Sequence, residues 1–129
     1  MAIVNIYPHL ENVKSILTDL SIFKSVKIGL EKGADKAVNT PFARIVVETI
    51  EHKGALSDAV IQIIIGLNTK NNYEELYKEF FNTDYIIKNA LFQLPCKVEI
   101  LNSITDEDRL INLKAGIIRF KLKGLIDDN

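Results

Sequence analysis

Hydrophobic and polar residues alternate with period two in five stretches of this chain and follow helical spacing in two others. Alternation is typical of half-buried strands, and apolar residues three to four apart are typical of amphipathic helices. The pattern therefore predicts the order α-β-β-β-α-β-β. Helices are expected over residues 8–20 and 72–91. The five predicted strands are Ser25–Glu31, Ala43–His52, Asp58–Asn68, Cys96–Asn102 and Leu113–Leu125.

This order indicates an α+β fold with a mixed, mainly antiparallel sheet of four to five strands and two helices packed on it. The second and third strands read as a hairpin, because Lys53-Gly54 separates them and glycine tolerates positive φ. The third strand is apolar on both faces, which favours a central position in the sheet. A chain of 129 residues is expected to form one domain over 1–129.

Aromatic and aliphatic residues form one continuous stripe on the second predicted helix. Asn72 with Glu75 fits a capping box at its start. The polar stretch Asn82–Asp84 leaves open one kinked helix or two short ones. Such a stripe usually faces a core, and here it consists of Tyr73, Leu76, Tyr77, Phe80, Phe81, Ile87 and Leu91.

Composition limits the function classes. Sixteen basic and seventeen acidic residues give a net charge of −1, whereas a dedicated nucleic-acid binder usually carries a basic excess. We therefore expect no sequence-specific nucleic-acid partner. The single Cys96 allows no intramolecular disulfide and favours a reducing compartment. The start of the chain lacks a signal-peptide pattern, and Ala59–Leu67 is too short to span a bilayer, so no membrane partner is expected.

Residues that carry catalytic or metal chemistry are sparse. His9 and His52 are separated by two predicted elements, whereas a metal site needs three or four converging ligands. No motif beside Cys96 supplies the base that would activate its thiol. Asp106–Asp108 lacks the ligand spacing of a calcium loop. We expect no enzyme activity, no metal and no cofactor.

A basic row, Arg119, Lys121 and Lys123, follows one face of the last predicted strand. Such a row is most often an ordinary solvated face. Alternatively, it forms a complementary contact with a second copy through Glu48 and Glu51, or contacts phosphate. Lysines on a terminal strand would also protect an open sheet edge.

The whole chain resembles phage tail-completion (tail terminator) proteins. The resemblance lies in the length, the element order, the loop entering through Pro41-Phe42-Ala43-Arg44-Ile45-Val46-Val47, and the helix beginning Asn72-Tyr73-Glu74-Glu75-Leu76. It implies a non-enzymatic protein, made in the host cytoplasm and located in the virion tail. Such proteins cap the tail tube as a ring, commonly a hexamer, and join it to head-completion proteins.

Ring closure requires one patch to meet a different patch on the next subunit. The sequence-based hypothesis assigns this interface to the last predicted strand and to the loop Lys32–Thr40, which precedes the second predicted strand. Two alternatives stay open: a small homo-oligomeric adaptor without catalysis, and a small enzyme with an unrecognised site. The residues assigned to the interface are Arg119, Lys121, Lys123, Glu48, Lys32, Asp35 and Lys36.

Overall fold

Two helices and five strands make up the computed structural model, which describes residues 3–30, 39–68, 73–105 and 113–127. Their order is the predicted one, so the α+β class and the order α-β-β-β-α-β-β are confirmed. The elements are α1 (Tyr7–Asp19), β1 (Ser25–Ile28), β2 (Phe42–Lys53), β3 (Leu56–Asn68), α2 (Tyr73–Leu91), β4 (Lys97–Thr105) and β5 (Leu113–Leu125).

All five strands belong to one sheet with the order β1-β2-β3-β5-β4. The sheet is mixed, because β1 runs parallel to β2 while the other three neighbouring pairs are antiparallel. Strand β3 is central, as its two apolar faces predicted. The last strand, β5, lies between β3 and β4. The interpretation of its lysines as protection for an open edge is therefore wrong, and the two edge strands are β1 and β4.

The hydrophobic core lies between the two helices and one face of the sheet. The predicted inner row of β3 (Ile61, Ile63, Ile65 and Leu67) is almost completely buried. Apolar residues from α1, α2 and the neighbouring strands complete one cluster, which includes Leu10, Val13, Leu17, Ile45, Leu76, Phe80, Ile87, Leu91, Ile118, Phe120 and Leu122. This face is the helix side of the sheet, and the opposite one is its outer face.

Local sequence explains where the helices and the hairpin lie. Pro8 occupies the first turn of α1, where its missing N–H costs no hydrogen bond. Helix α2 is continuous across its polar middle, and the Thr83 hydroxyl there donates to the Glu79 carbonyl at 2.9 Å. Gly54 makes the β2–β3 turn with φ +67°. The proposed cap residue Asn72 lies outside the described residues.

One part of the helix prediction is wrong. Phe81 was expected in the core stripe of α2, yet 52% of its surface is exposed. Leu76, Phe80 and Ile87 already fill the arc of the helix that faces the sheet. Phe81 follows Phe80 by about 100° around the helix axis and points away from that arc. No helix in the described ranges is long and apolar enough to cross a membrane.

Candidate assembly surface

Arg119 forms the best-defined charged contact of the outer face. Its Nε lies 2.9 Å from Glu48 Oε2, and its Nη2 lies 3.0 Å from Glu48 Oε1. A break in the β2–β3 register between Val47 and Thr49 leaves Glu48 in a bulge, and bulges re-aim side chains. The bond to Arg119 holds the pKa of the Glu48 carboxyl below its usual value. Arg119 therefore has a bidentate partner within its own chain.

Lys123 and Lys121 also face acidic residues of the same chain. Lys123 Nζ lies 2.7 Å from Glu99 Oε2, and Lys121 is opposite Glu99 in the β4–β5 register. The hydrogen bond from Lys123 lowers the pKa of Glu99, and the nearby charge of Lys121 contributes to the shift. The row is thus flanked by carboxylates from β2 and β4, which weakens its interpretation as a phosphate site.

The structure brings together part of the interface assigned from sequence. Arg119, Lys121, Lys123 and Glu48 lie on the outer face, as the alternation predicted. Glu51 lies toward the β2–β3 turn, with an oxygen 3.9 Å from Lys53 Nζ. The loop residues of that assignment, Lys32, Asp35 and Lys36, lie outside the described residues.

Asp58 joins three strands at the hairpin end of the sheet. It lies at a break in the β3–β5 register between Ser57 and Ala59. Its Oδ1 accepts the Gly124 N–H at 3.0 Å, and its Oδ2 accepts from Lys53 Nζ at 3.0 Å. These two bonds hold the pKa of this carboxyl below its usual value. The carboxylate thereby connects β2, β3 and the end of β5.

We expect Asp58 to make folding sensitive to acid. The pKa of Asp58 is lower in the folded protein than in the unfolded chain. Its contribution to the free energy of unfolding is therefore complete above the unfolded pKa of about 4 and is lost as pH falls through the folded pKa. The variant Asp58→Asn keeps an acceptor for the Gly124 N–H but loses the charge facing Lys53. Urea unfolding at decreasing pH should therefore show a steeper loss of unfolding free energy in the wild type. Parallel pH profiles for the two proteins would contradict this role.

The two histidines bond to different partners. His9 Nε2 is 3.0 Å from the Ile126 carbonyl oxygen, and His52 Nδ1 is 2.8 Å from Ser57 Oγ. No group of three or more His, Cys, Asp or Glu side chains that could hold a metal occurs within the described ranges. Burial raises the pKa of the Cys96 thiol, which disfavours the nucleophilic thiolate.

Both edge strands carry incompletely buried apolar side chains on the helix side. At one edge these are Val26 and Ile28 of β1, and at the other they are Val98 and Ile100 of β4. The register pairs Val26 with core residue Ala43 and Ile100 with core residue Phe120. The core thus extends to both edges of the sheet and is only half covered there.

Aromatic residues on α2 lie beside the β4 edge. The Ser103 hydroxyl donates to Asp84 Oδ1 at 2.5 Å and holds this flank of the helix against β4. Tyr77 stacks on Phe81, with ring centroids 6.1 Å apart, and Tyr85 is 68% exposed. These three residues follow each other at intervals of four and form the aromatic flank of α2. The spacing of four, one position after the buried residues Leu76 and Phe80, is the sequence signal from which this exposed flank could have been predicted.

A polar groove lies beside the other edge strand. It has a volume of about 410 Å³ and is bordered by α1 and by Ile28 of β1. The α1 residues that line it are Tyr7, Glu11, Lys14, Ser15, Thr18 and Asp19. The two ends of the sheet therefore differ in shape, since one carries projecting aromatic rings and the other a recess.

No family model matches the chain, and no curated protein matches it.

Proposed function

We propose that this protein is a ring-forming assembly protein of a phage tail. It caps the tail tube, commonly as a hexamer, and offers the surface to which head-completion proteins bind. The proposal assigns it a structural role in the virion tail, after synthesis in the host cytoplasm. The resemblance in length and element order motivates this proposal, and the observed order α-β-β-β-α-β-β supports it.

The observation that carries the proposal is the difference between the two sheet edges. A ring requires heterologous contacts, in which one patch of a subunit meets a different patch on the next. Strand β4 is flanked by exposed aromatic rings, whereas β1 is flanked by a groove. Both edges leave apolar side chains half covered. Two unlike, incomplete edges at opposite ends of one sheet are suited to head-to-tail assembly.

Light scattering after size-exclusion chromatography tests the proposal directly. We expect the molar mass to rise with protein concentration toward a closed multiple of the 14.6 kDa chain, because ring closure makes the last contact intramolecular. Negative-stain images of the largest species should contain rings. A monomer or a dimer that stays constant at every concentration would contradict the proposal, and a constant dimer would favour a homo-oligomeric adaptor.

A further inference from the structure

We infer that neighbouring copies join by strand addition, with β4 of one copy pairing antiparallel to β1 of the next. The inference rests on the proposed function, because it names the contact from which the ring is built. Its occupant is a second copy of this chain, and the contact comprises the strand pair and the helices beside it.

Strand directions in the sheet allow this contact without turning either copy over. Strands β1 and β2 run in the same direction, and each later step across β3, β5 and β4 reverses it. Edge strand β4 therefore runs opposite to β1. When two copies stand side by side in the same orientation, β4 of the first meets β1 of the second antiparallel, with all helices on one side. Antiparallel strand pairs are slightly more stable per residue than parallel pairs.

The half-buried apolar rows meet in this arrangement. Val26 and Ile28 of β1 would lie beside Val98 and Ile100 of β4, all on the helix side. The core would then continue from one copy to the next, and the apolar surface removed from water stabilises the contact. Strand addition would also form a backbone hydrogen-bond ladder between the two edge strands.

Charge and the β4 bulge together favour one register for the pair. Lys27 of β1 and Glu99 of β4 are both exposed and both lie on the outer face, where Glu99 also accepts from Lys123 of its own chain. Placing Lys27 opposite Glu99 puts Val26 opposite Ile100 and Ile28 opposite Val98, because opposed residues in antiparallel strands share a face. A shift of two residues in one direction opposes Lys27 to Lys97, which is unfavourable. A shift in the other direction meets the β4 bulge between Ile100 and Asn102.

The helices beside the two strands complement each other in shape. In this register α2 of one copy lies next to α1 of the following copy, because each helix stands over its own edge. Phe81 and Tyr85 would project toward the groove bordered by Tyr7, Lys14 and Ile28. Aromatic anchors in recesses are frequent centres of binding energy, and Lys14 offers a cation to their ring faces.

Self-pairing of β4 about a two-fold axis uses fewer of these features. It can oppose Lys97 to Glu99 of the other copy, but it leaves the β1 edge and the α1 groove uncovered. It also ends at a dimer, since an isologous contact closes on itself. The head-to-tail contact covers both edges of every copy.

Disulfide trapping distinguishes these arrangements. The test protein carries Lys27→Cys and Glu99→Cys together with Cys96→Ser. The two new thiols lie at opposite edges of a five-stranded sheet, about 19 Å apart at 4.8 Å per strand step, so they cannot bond within one chain. Under mild oxidation we expect a ladder of dimers, trimers and larger species on a non-reducing gel, which collapses on reduction. Each single-cysteine protein can form dimers only.

The register has its own control. Moving the second thiol two residues, as Lys97→Cys in place of Glu99→Cys, should lower the yield of species above dimer by about tenfold, because the two Cα atoms then lie beyond bonding distance. An equal yield from both proteins would overturn the register.

Disulfide trapping and the molar-mass measurement together distinguish an error in the proposed interface from an error in the proposed ring. No ladder, or dimers alone, from a protein whose mass still rises to a closed multiple would overturn this interface and leave the ring in place. No ladder from a constant monomer or dimer would overturn both.

The aromatic flank provides a second, independent variant. Phe81→Ser removes an exposed ring, so the fold should be retained, and we expect the concentration needed for assembly to rise about tenfold or more. Ile50→Ser is the matched control, because Ile50 is exposed on β2 near the hairpin, beyond the residues that pair with β1, and should leave assembly unchanged. Equal assembly by both variants would overturn the role given to Phe81.

Discussion

Replacement of Arg44 with alanine is expected to lower the free energy of unfolding by about 2–4 kcal/mol, combining lost charged hydrogen bonds and a cavity. Arg44 is completely buried on the outer face. Its Nη1 donates to Ser25 Oγ at 3.1 Å and to the Ala43 carbonyl at 2.9 Å, and its guanidinium lies 4.8 Å from the centroid of the Phe42 ring. The side chain thereby connects β2 to edge strand β1.

The loss of stability in Arg44→Ala should appear first at β1. Outside the regular ladder, the Lys24 N–H donates to the Pro41 carbonyl at 2.7 Å and the Gly29 N–H to the Ile45 carbonyl at 2.8 Å. Hydrogen exchange at these two amides should accelerate in the variant more than exchange in β3. Arg44→Met serves as a control, because it keeps apolar bulk beside Phe42 and removes only the donors. Unchanged exchange at both amides would contradict the connecting role of Arg44.

Introducing a side chain at Gly116 is expected to have the second largest effect. A Cβ atom at this position would overlap the ring of Phe80, which is completely buried. We expect Gly116→Ala to destabilise the protein by about 1–3 kcal/mol, the usual range for overpacking a core. Phe80 packs edge-on against Phe81, with ring centroids 5.4 Å apart. Displacing Phe80 should therefore also disturb the aromatic flank and raise the concentration needed for assembly.

A double-mutant cycle tests this explanation. Phe80→Leu replaces the ring that blocks this position with a smaller side chain. The double variant Phe80→Leu with Gly116→Ala should therefore lose less free energy of unfolding than the two single variants lose in sum. Gly66→Ala is the matched control, because its Cβ would overlap the ring of Phe42 instead. Chemical denaturation of all the variants gives their free energies of unfolding. If the losses from Gly116→Ala and Phe80→Leu simply add, contact with Phe80 is not the cause of the destabilisation at Gly116.

The alternation of side chains predicted the strands well because each strand has one core-facing row. The residues of β3 that were assigned to the core are buried, and the end of β5 at Leu125 was placed correctly. Arg44 alternates with the core residues Ala43 and Ile45 and is nevertheless completely buried. Its hydrogen bond to Ser25 Oγ forms only after β1 and β2 have paired.

The candidate surface was predicted in part. The basic row was located correctly, but the partner of Arg119 was sought on a second copy. The bulge at Glu48 directs that carboxylate to Arg119 across β3 of the same chain. A bulge adds one residue to one strand, and the sequence of that strand contains no separate signal for it here. The aromatic flank was missed because aromatic residues on a helix are usually buried.

The sequence by itself determined the number and order of the helices and strands and the inner rows of the strands, because each is encoded by periodicity within a short segment. Only the tertiary structure decided that β5 is interior, that β1 and β4 are the edges, and that Phe81 and Tyr85 stand beside one of them. The physical reason is that strand neighbours are selected by contacts between residues far apart in the chain, such as Gln62 with Arg119. An amphipathic strand has the same pattern whether its neighbours lie on both sides or on one.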